Sequence, residues 1–185
     1  MKIGIVIENY NLDEYDFLIG VEKGATYKEV DIAIGDFDSI DENLIKSKKI
    51  IKFSPIKDDT DTALAVNEAL KLSNDITIIG GIQGSRIEHL FANINLLVKY
   101  PFIKMVDKNS CIYVLDKNEL IKYDDSYYSF YALEDSILSL KGFKYPLNNY
   151  KLKMYDSLCI SNELLEDGII EIKGKILVIK SKKNA

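Results

Sequence analysis

Asp36 and Asp38 follow the short apolar run 32–34 and Gly35 at i and i+2, a spacing that puts two side chains on one side of an extended chain. Carboxylates at a strand end lie where open α/β sheets bind ligands. Paired oxygens there suit Mg²⁺, which takes oxygen ligands and keeps water or phosphate in its remaining positions. Asp is equally a turn former that bonds its own backbone, so the pair alone leaves both readings open.

A second acidic group, Lys57-Asp58-Asp59-Thr60-Asp61, stands just before a helix-like segment. Asp58 or Thr60 there suits a helix cap. Lys57 beside the acids also suits a site that gathers phosphates around a divalent cation. A third group, Gly80-Gly81-Ile82-Gln83-Gly84-Ser85-Arg86-Ile87-Glu88-His89, is a glycine-rich turn leading from an apolar run into a second helical pattern. Such strand-to-helix turns admit phosphates, and Arg86 could clamp phosphate oxygens bidentately. Arg86, His89 and Asn93 fall at i, i+3 and i+7 and are expected on one helix face. For His89 a structural hydrogen-bonding role stands beside a catalytic one.

The elements needed to position these groups are legible in the hydrophobic pattern. Apolar runs at 3–7, 17–21, 32–34, 50–53, 76–79 and 102–106 read as strands of a mostly parallel sheet. Between them, residues 59–72 carry Ala63, Val66, Ala69 and Leu70 at helical spacing, and residues 86–99 carry Leu90, Phe91, Ile94, Leu97 and Val98. Both read as amphipathic helices. After Asp107 the pattern becomes short β-like runs at 111–115, 127–133, 136–140, 152–155 and 176–179. Turn signals at 107–110, 116–118, 146–149, 166–168 and 173–175 separate them. The expected architecture is an α/β plus all-β chain: a three-layer α/β domain over residues 1–106 and a β-sandwich over residues 107–185.

Composition narrows the chemistry. The chain has 185 residues, 47% hydrophobic and 29% charged, which is globular. Its formal charge of −5 gives no general attraction to nucleic acid. His89 is the sole histidine, so a multi-histidine metal site within one chain is excluded. The two cysteines, Cys111 and Cys159, have no CxxC spacing and give no disulfide framework, which makes a reducing cytoplasmic setting the expectation. The opening apolar run is too short for a signal peptide and no segment reaches transmembrane length, so no membrane association is expected.

Taken in order, Gly35-Asp36-Phe37-Asp38-Ser39, Lys57 to Asp61 and the GxxGxRxEH pattern of residues 81–89 resemble the motifs of thiamine pyrophosphokinases. Residues 142–147 and 158–163 resemble the bacterial members, so the likeness spans nearly the whole chain. It implies an enzyme that transfers pyrophosphate from ATP to the hydroxyl of thiamine, giving thiamine diphosphate and AMP. It also implies Mg²⁺ as cofactor and a homodimer whose sites involve both subunits. Carried over by motif, Asp36, Asp38 and Asp61 are the expected metal ligands. Asp58 and Glu88 are expected as supporting catalytic carboxylates, and Ser39, Lys57, Thr60, Gln83, Arg86 and His89 as contacts to ATP. Ser161 and Asn162 are expected to border thiamine. The chain departs from the family pattern at Glu22 and Glu88, where the family usually has Asp, and at Ser85, where Gly is common. Two other classes share the acidic pattern: a metal-dependent nucleotide-sugar transferase, and a thiamine or nucleotide binder without turnover.

Overall fold

In this computed structural model residues 1–54, 58–84 and 86–183 are described. The chain divides into two compact units, Met1–Lys108 and Asn109–Ala185, which together form a mixed β architecture with few helices.

The first unit contains β1 (Ile3–Val6), β2 (Phe17–Val21), β3 (Ile32–Gly35), β4 (Ile50–Lys52), β5 (Ile76–Ile79) and β6 (Lys104–Val106). They pair in parallel in the order β6-β5-β1-β2-β3-β4. Every residue of β1, β3 and β5 is buried, as expected for central parallel strands covered on both faces, and this is why they read as unbroken apolar runs. At the end of β2 the chain turns in a short 3₁₀ segment, Glu22–Thr26. Gly24 there lies so near β1 that a Cβ would fall 1.9 Å from the Val6 carbonyl oxygen. That close approach presses the turn bearing Glu22 against the carboxyl end of β1.

Helix α1 (Asp61–Leu70) starts after Thr60, whose hydroxyl accepts the Ala63 N–H at 3.2 Å. It is an N-cap that satisfies one of the first-turn donors. Ala65, Val66 and Ala69 form its buried face, and the helix packs on β1, β2, β3 and β5. Helix α2 (Ile87–Lys99) buries Asn93 and Leu97. Phe91, expected in its apolar stripe, is instead 63% exposed, because a residue two positions from Asn93 points to the opposite side of a helix.

The second unit is antiparallel. It contains β7 (Ser110–Leu115), β8 (Glu119–Ile121), β9 (Ser126–Ala132), β10 (Ser136–Phe143), β11 (Leu147–Leu152), β12 (Asn162–Lys173) and β13 (Ile176–Lys182). Their order is β11-β10-β12-β9-β13-β7, with β8 paired to β12. Alternate residues of β9 point into a core in which the Phe143 ring meets those of Tyr128 and Phe130 edge-on, both at 5.8 Å.

Two expected turns in this unit are strand. Residues 166–168 lie inside β12. There Gly168 passes within 2.4 Å, measured from a built Cβ, of the Leu164 side chain, and the Asp167 carboxylate binds the Tyr123 N–H and Lys122. Residues 147–149 open β11 rather than preceding a strand at 152–155. Asn149 takes φ +49 and gives its N–H to Ser139 Oγ at 2.9 Å, where the β10–β11 register shifts. In both places a turn-forming residue makes a local irregularity within a strand.

Candidate functional site

The first unit gathers its polar loops at the carboxyl ends of the parallel strands. β2 ends at Val21 and delivers Glu22, β3 delivers Asp36, and Asp61 opens α1. One carboxylate oxygen from each of Glu22, Asp36 and Asp61 lies within 4.8 Å of the others. These half-buried acids crowd like charges together. Burial raises the Glu22 pKa most, two backbone N–H groups pull it back down, and Asp61 and Asp36 add to the rise.

Glu22 reaches from the end of β2 to the end of β3. Its Oε1 accepts the Asp36 N–H at 2.8 Å and, at 3.4 Å, the Phe37 N–H. Its Oε2 is buried and has no hydrogen-bond partner among the described residues. A buried carboxylate oxygen left without a donor is costly, and a hard cation shared by three oxygen donors would satisfy it. The donor set therefore fits a divalent metal such as Mg²⁺.

The extended-chain expectation for Asp36 and Asp38 does not hold. Phe37 between them takes φ +58, buries its ring to 2% exposure, and breaks the alternation. Asp36 Oδ1 instead accepts the Asp38 N–H at 3.2 Å, the local bond that favours Asp in turns. Asp38 and Ser39 are exposed, and Asp38 stands outside the three-carboxylate group. Glu22 occupies the third place. In the sequence it stands only as a departure from the family pattern, although its position after an apolar run is the same signal that marks Asp36.

A cavity of about 870 Å³ opens beside these acids. Glu22, Lys23, Thr60 and Asp61 line one part of it, Gly81 to Gly84 with Gln83 another, and Arg86, His89 and Asn93 a third. The glycine turn is held from two sides. Glu8 Oε1 accepts the Gly81 N–H at 3.4 Å, and buried Asn93 donates to the Gly81 carbonyl at 3.3 Å. Gly80, Gly81 and Gly84 all have positive φ, a conformation that side chains resist. Gln83 Nε2 donates to Asp107 at 3.3 Å.

Arg86 is the N-cap of α2 and lines the same cavity as His89 and Asn93, with its Nε 2.9 Å from Glu88 Oε1. That guanidinium holds the Glu88 pKa below the usual range, so Glu88 is an ionised partner of Arg86 and does not line the cavity. Asp58 is exposed, and Lys57 lies outside the described residues, as does Ser85.

Ser161 and Asn162 belong to the second unit. Ser161 is exposed at φ +53 and gives its N–H to Ser129 Oγ at 3.0 Å. Asn162 is buried to 2% and ties the start of β12 to Tyr145. Its Oδ1 accepts the Tyr145 N–H at 3.0 Å and the Glu163 N–H at 2.9 Å, and its Nδ2 donates to the Tyr145 carbonyl at 2.8 Å.

Family models agree with this layout. Residues 10–112 match the catalytic domain of thiamin pyrophosphokinase, and residues 115–177 match its vitamin B1 binding domain. The chain belongs to the thiamin pyrophosphokinase family. Across 158 residues it is 39% identical to the thiamine pyrophosphokinase of Bacillus subtilis strain 168, covering 74% of this chain and 73% of that protein. The crystal structure of thiamine pyrophosphokinase from Bacillus subtilis superposes with a TM-score of 0.85 at 32% identity, covering 99% of this chain and 100% of that one. A family protein from Enterococcus faecalis gives the same TM-score at 26% identity, with the same coverage of both chains. Among the described residues no helix is long and apolar enough to cross a membrane.

Proposed function

We propose that this chain transfers pyrophosphate from ATP to the hydroxyl of thiamine, forming thiamine diphosphate and AMP, at the strand-end cavity of the first unit. The observation that carries this reading is the convergence of Glu22, Asp36 and Asp61 beside a glycine turn that leads to Arg86 and His89. Phosphoryl chemistry of this type depends on positioning and charge neutralisation more than on a covalent intermediate.

In this reading Asp36 and Asp61, with Glu22 Oε2 between them and Asp38 joining from the adjacent turn, hold Mg²⁺. A bound divalent cation supplies charge neutralisation at the phosphates. The chain's own groups do the rest. Gly81 to Gly84 let the backbone approach the nucleotide closely, with Thr60 and Gln83 beside it. Arg86, His89 and Lys57 surround the phosphates, and Ser39 lies next to the acidic turn. Asp58 supports from the rim, while Glu88 acts through Arg86. Of the two residues assigned to thiamine, Ser161 is the exposed contact, and buried Asn162 holds the start of β12 beside it.

The same reading gives a three-layer α/β catalytic domain, a β-sandwich for thiamine binding and dimerisation, a homodimer with shared sites, and a cytoplasmic location. Asp36→Asn and Asp61→Asn test the site. Each is expected to reduce AMP formation at least a hundredfold while the melting temperature stays within a few degrees, because removing one acid relieves repulsion. Full activity in either variant contradicts the assignment.

A further inference from the structure

We propose that Glu22 is a positioning residue, which fixes the turn bearing Asp36 by accepting its backbone N–H groups across the β2–β3 strand ends. The inference deepens the proposed reading of this site and is testable apart from it.

Three observations converge on Glu22. Glu22 Oε1 receives the Asp36 N–H at 2.8 Å and the Phe37 N–H at 3.4 Å, so one side chain holds two consecutive peptides. Those peptides need holding, because Phe37 sits at φ +58, a region that non-glycine residues rarely adopt. The position of Asp36 depends on that unusual backbone, since Phe37 is the residue that turns the chain just after it.

Gly35 supplies the second observation. Its φ is not in the positive range, so its backbone requires no glycine. A Cβ there would nevertheless fall 2.1 Å from Glu22 Oε1 and 2.6 Å from Glu22 Cδ. Position 35 lacks a side chain because the Glu22 carboxylate fills that space.

The third observation is the backbone of Glu22 itself, at φ +48. Two non-glycine residues, one on each strand end, adopt left-handed conformations so that one carboxylate meets one pair of N–H groups. Side-chain length is decisive in this arrangement. Aspartate is shorter by one methylene, about 1.5 Å. From the same backbone its oxygens would fall outside hydrogen-bonding range of the Asp36 N–H. Glutamine keeps the length and retains an acceptor oxygen.

The test is backbone amide exchange followed by NMR on the metal-free protein, for wild type, Glu22→Gln, Glu22→Asp and Glu22→Ala. Glu22→Ala and Glu22→Asp are expected to speed exchange of the Asp36 N–H at least tenfold, with the amides of Ile5 and Ile78 unchanged. Glu22→Gln should stay within threefold of wild type, so the isosteric variant decides the question even if the alanine variant folds poorly. A kinetic arm compares ATP turnover at saturating metal. Glu22→Asp should lower kcat at least tenfold while the KM for ATP moves less than threefold. Unchanged Asp36 exchange in Glu22→Ala, or wild-type kcat in Glu22→Asp, overturns the proposal. Inactivity of the wild-type protein toward thiamine would count against the functional reading instead, and the exchange arm would still decide the role of Glu22.

Discussion

Gly35→Ala is the substitution whose cost the structure specifies most directly. The added methyl would lie 2.1 Å from Glu22 Oε1, whereas ordinary contact begins at 3.4 Å. The carboxylate must therefore retreat by about 1.3 Å, the difference between those distances. A hydrogen bond now at 2.8 Å to the Asp36 N–H cannot survive that shift. Leaving the donor without a partner costs about 1–3 kcal/mol, and overpacking adds about 1–3 kcal/mol. Loss of unfolded-chain entropy returns about 0.4–1 kcal/mol. The net expectation is a destabilisation of about 1–6 kcal/mol, read by urea unfolding of the purified protein. In a Glu22→Ala background the nearest remaining atom is Phe37 Cε1 at 3.2 Å, so the cost of the same methyl should fall by at least about 1 kcal/mol, a coupling that a double-mutant cycle measures. A Gly35→Ala protein within about 0.5 kcal/mol of wild type would refute the reasoning.

Three further outcomes follow from the rest of the structure. Lys144 and Lys183, at 2.8 and 2.7 Å, hold the Glu163 carboxyl at about 2, below its usual 4.5. A lowered native pKa contributes stability above pH 4.5 that disappears as pH falls toward 2, so Glu163→Gln should flatten the acid limb of the stability curve in that window. Burial pushes the Cys159 thiol up to about 11. Its reaction with a disulfide reagent should therefore be slow at pH 8 and keep accelerating toward pH 11 in a Cys111→Ser variant, where a plateau near pH 9 would be inconsistent. Asn93→Ala removes the bond to the Gly81 carbonyl and should destabilise by about 1–3 kcal/mol. It should also raise the KM for ATP more than it lowers kcat, which steady-state kinetics would show.

The central strands β1, β3 and β5 were legible because they are buried on both faces and their sequences are almost wholly apolar. The second unit was less so. Residues 166–168 and 146–149 have turn composition, yet Asp167 spends its side chain on Lys122 and Tyr123, and Asn149 places its irregular backbone opposite Ser139. Those partners are 44 and 10 residues away in sequence, which a local pattern does not reveal. In the acidic turn the extended-chain geometry fails. Spacing places Asp36 and Asp38 together only if the chain between them is extended, and Phe37 is not. Glu22 entered the carboxylate group through strand pairing between β2 and β3, a tertiary fact with no signature in either motif. The helix ends were legible to within two residues because capping chemistry at Thr60 is local.

The most direct measurement is AMP formation by the purified chain with ATP, with and without thiamine, and with and without Mg²⁺. AMP and thiamine diphosphate should appear in equal amounts, only when ATP, thiamine and a divalent cation are all present, with no accumulation of ADP. Release of ADP, or AMP produced at the same rate without thiamine, would contradict the account.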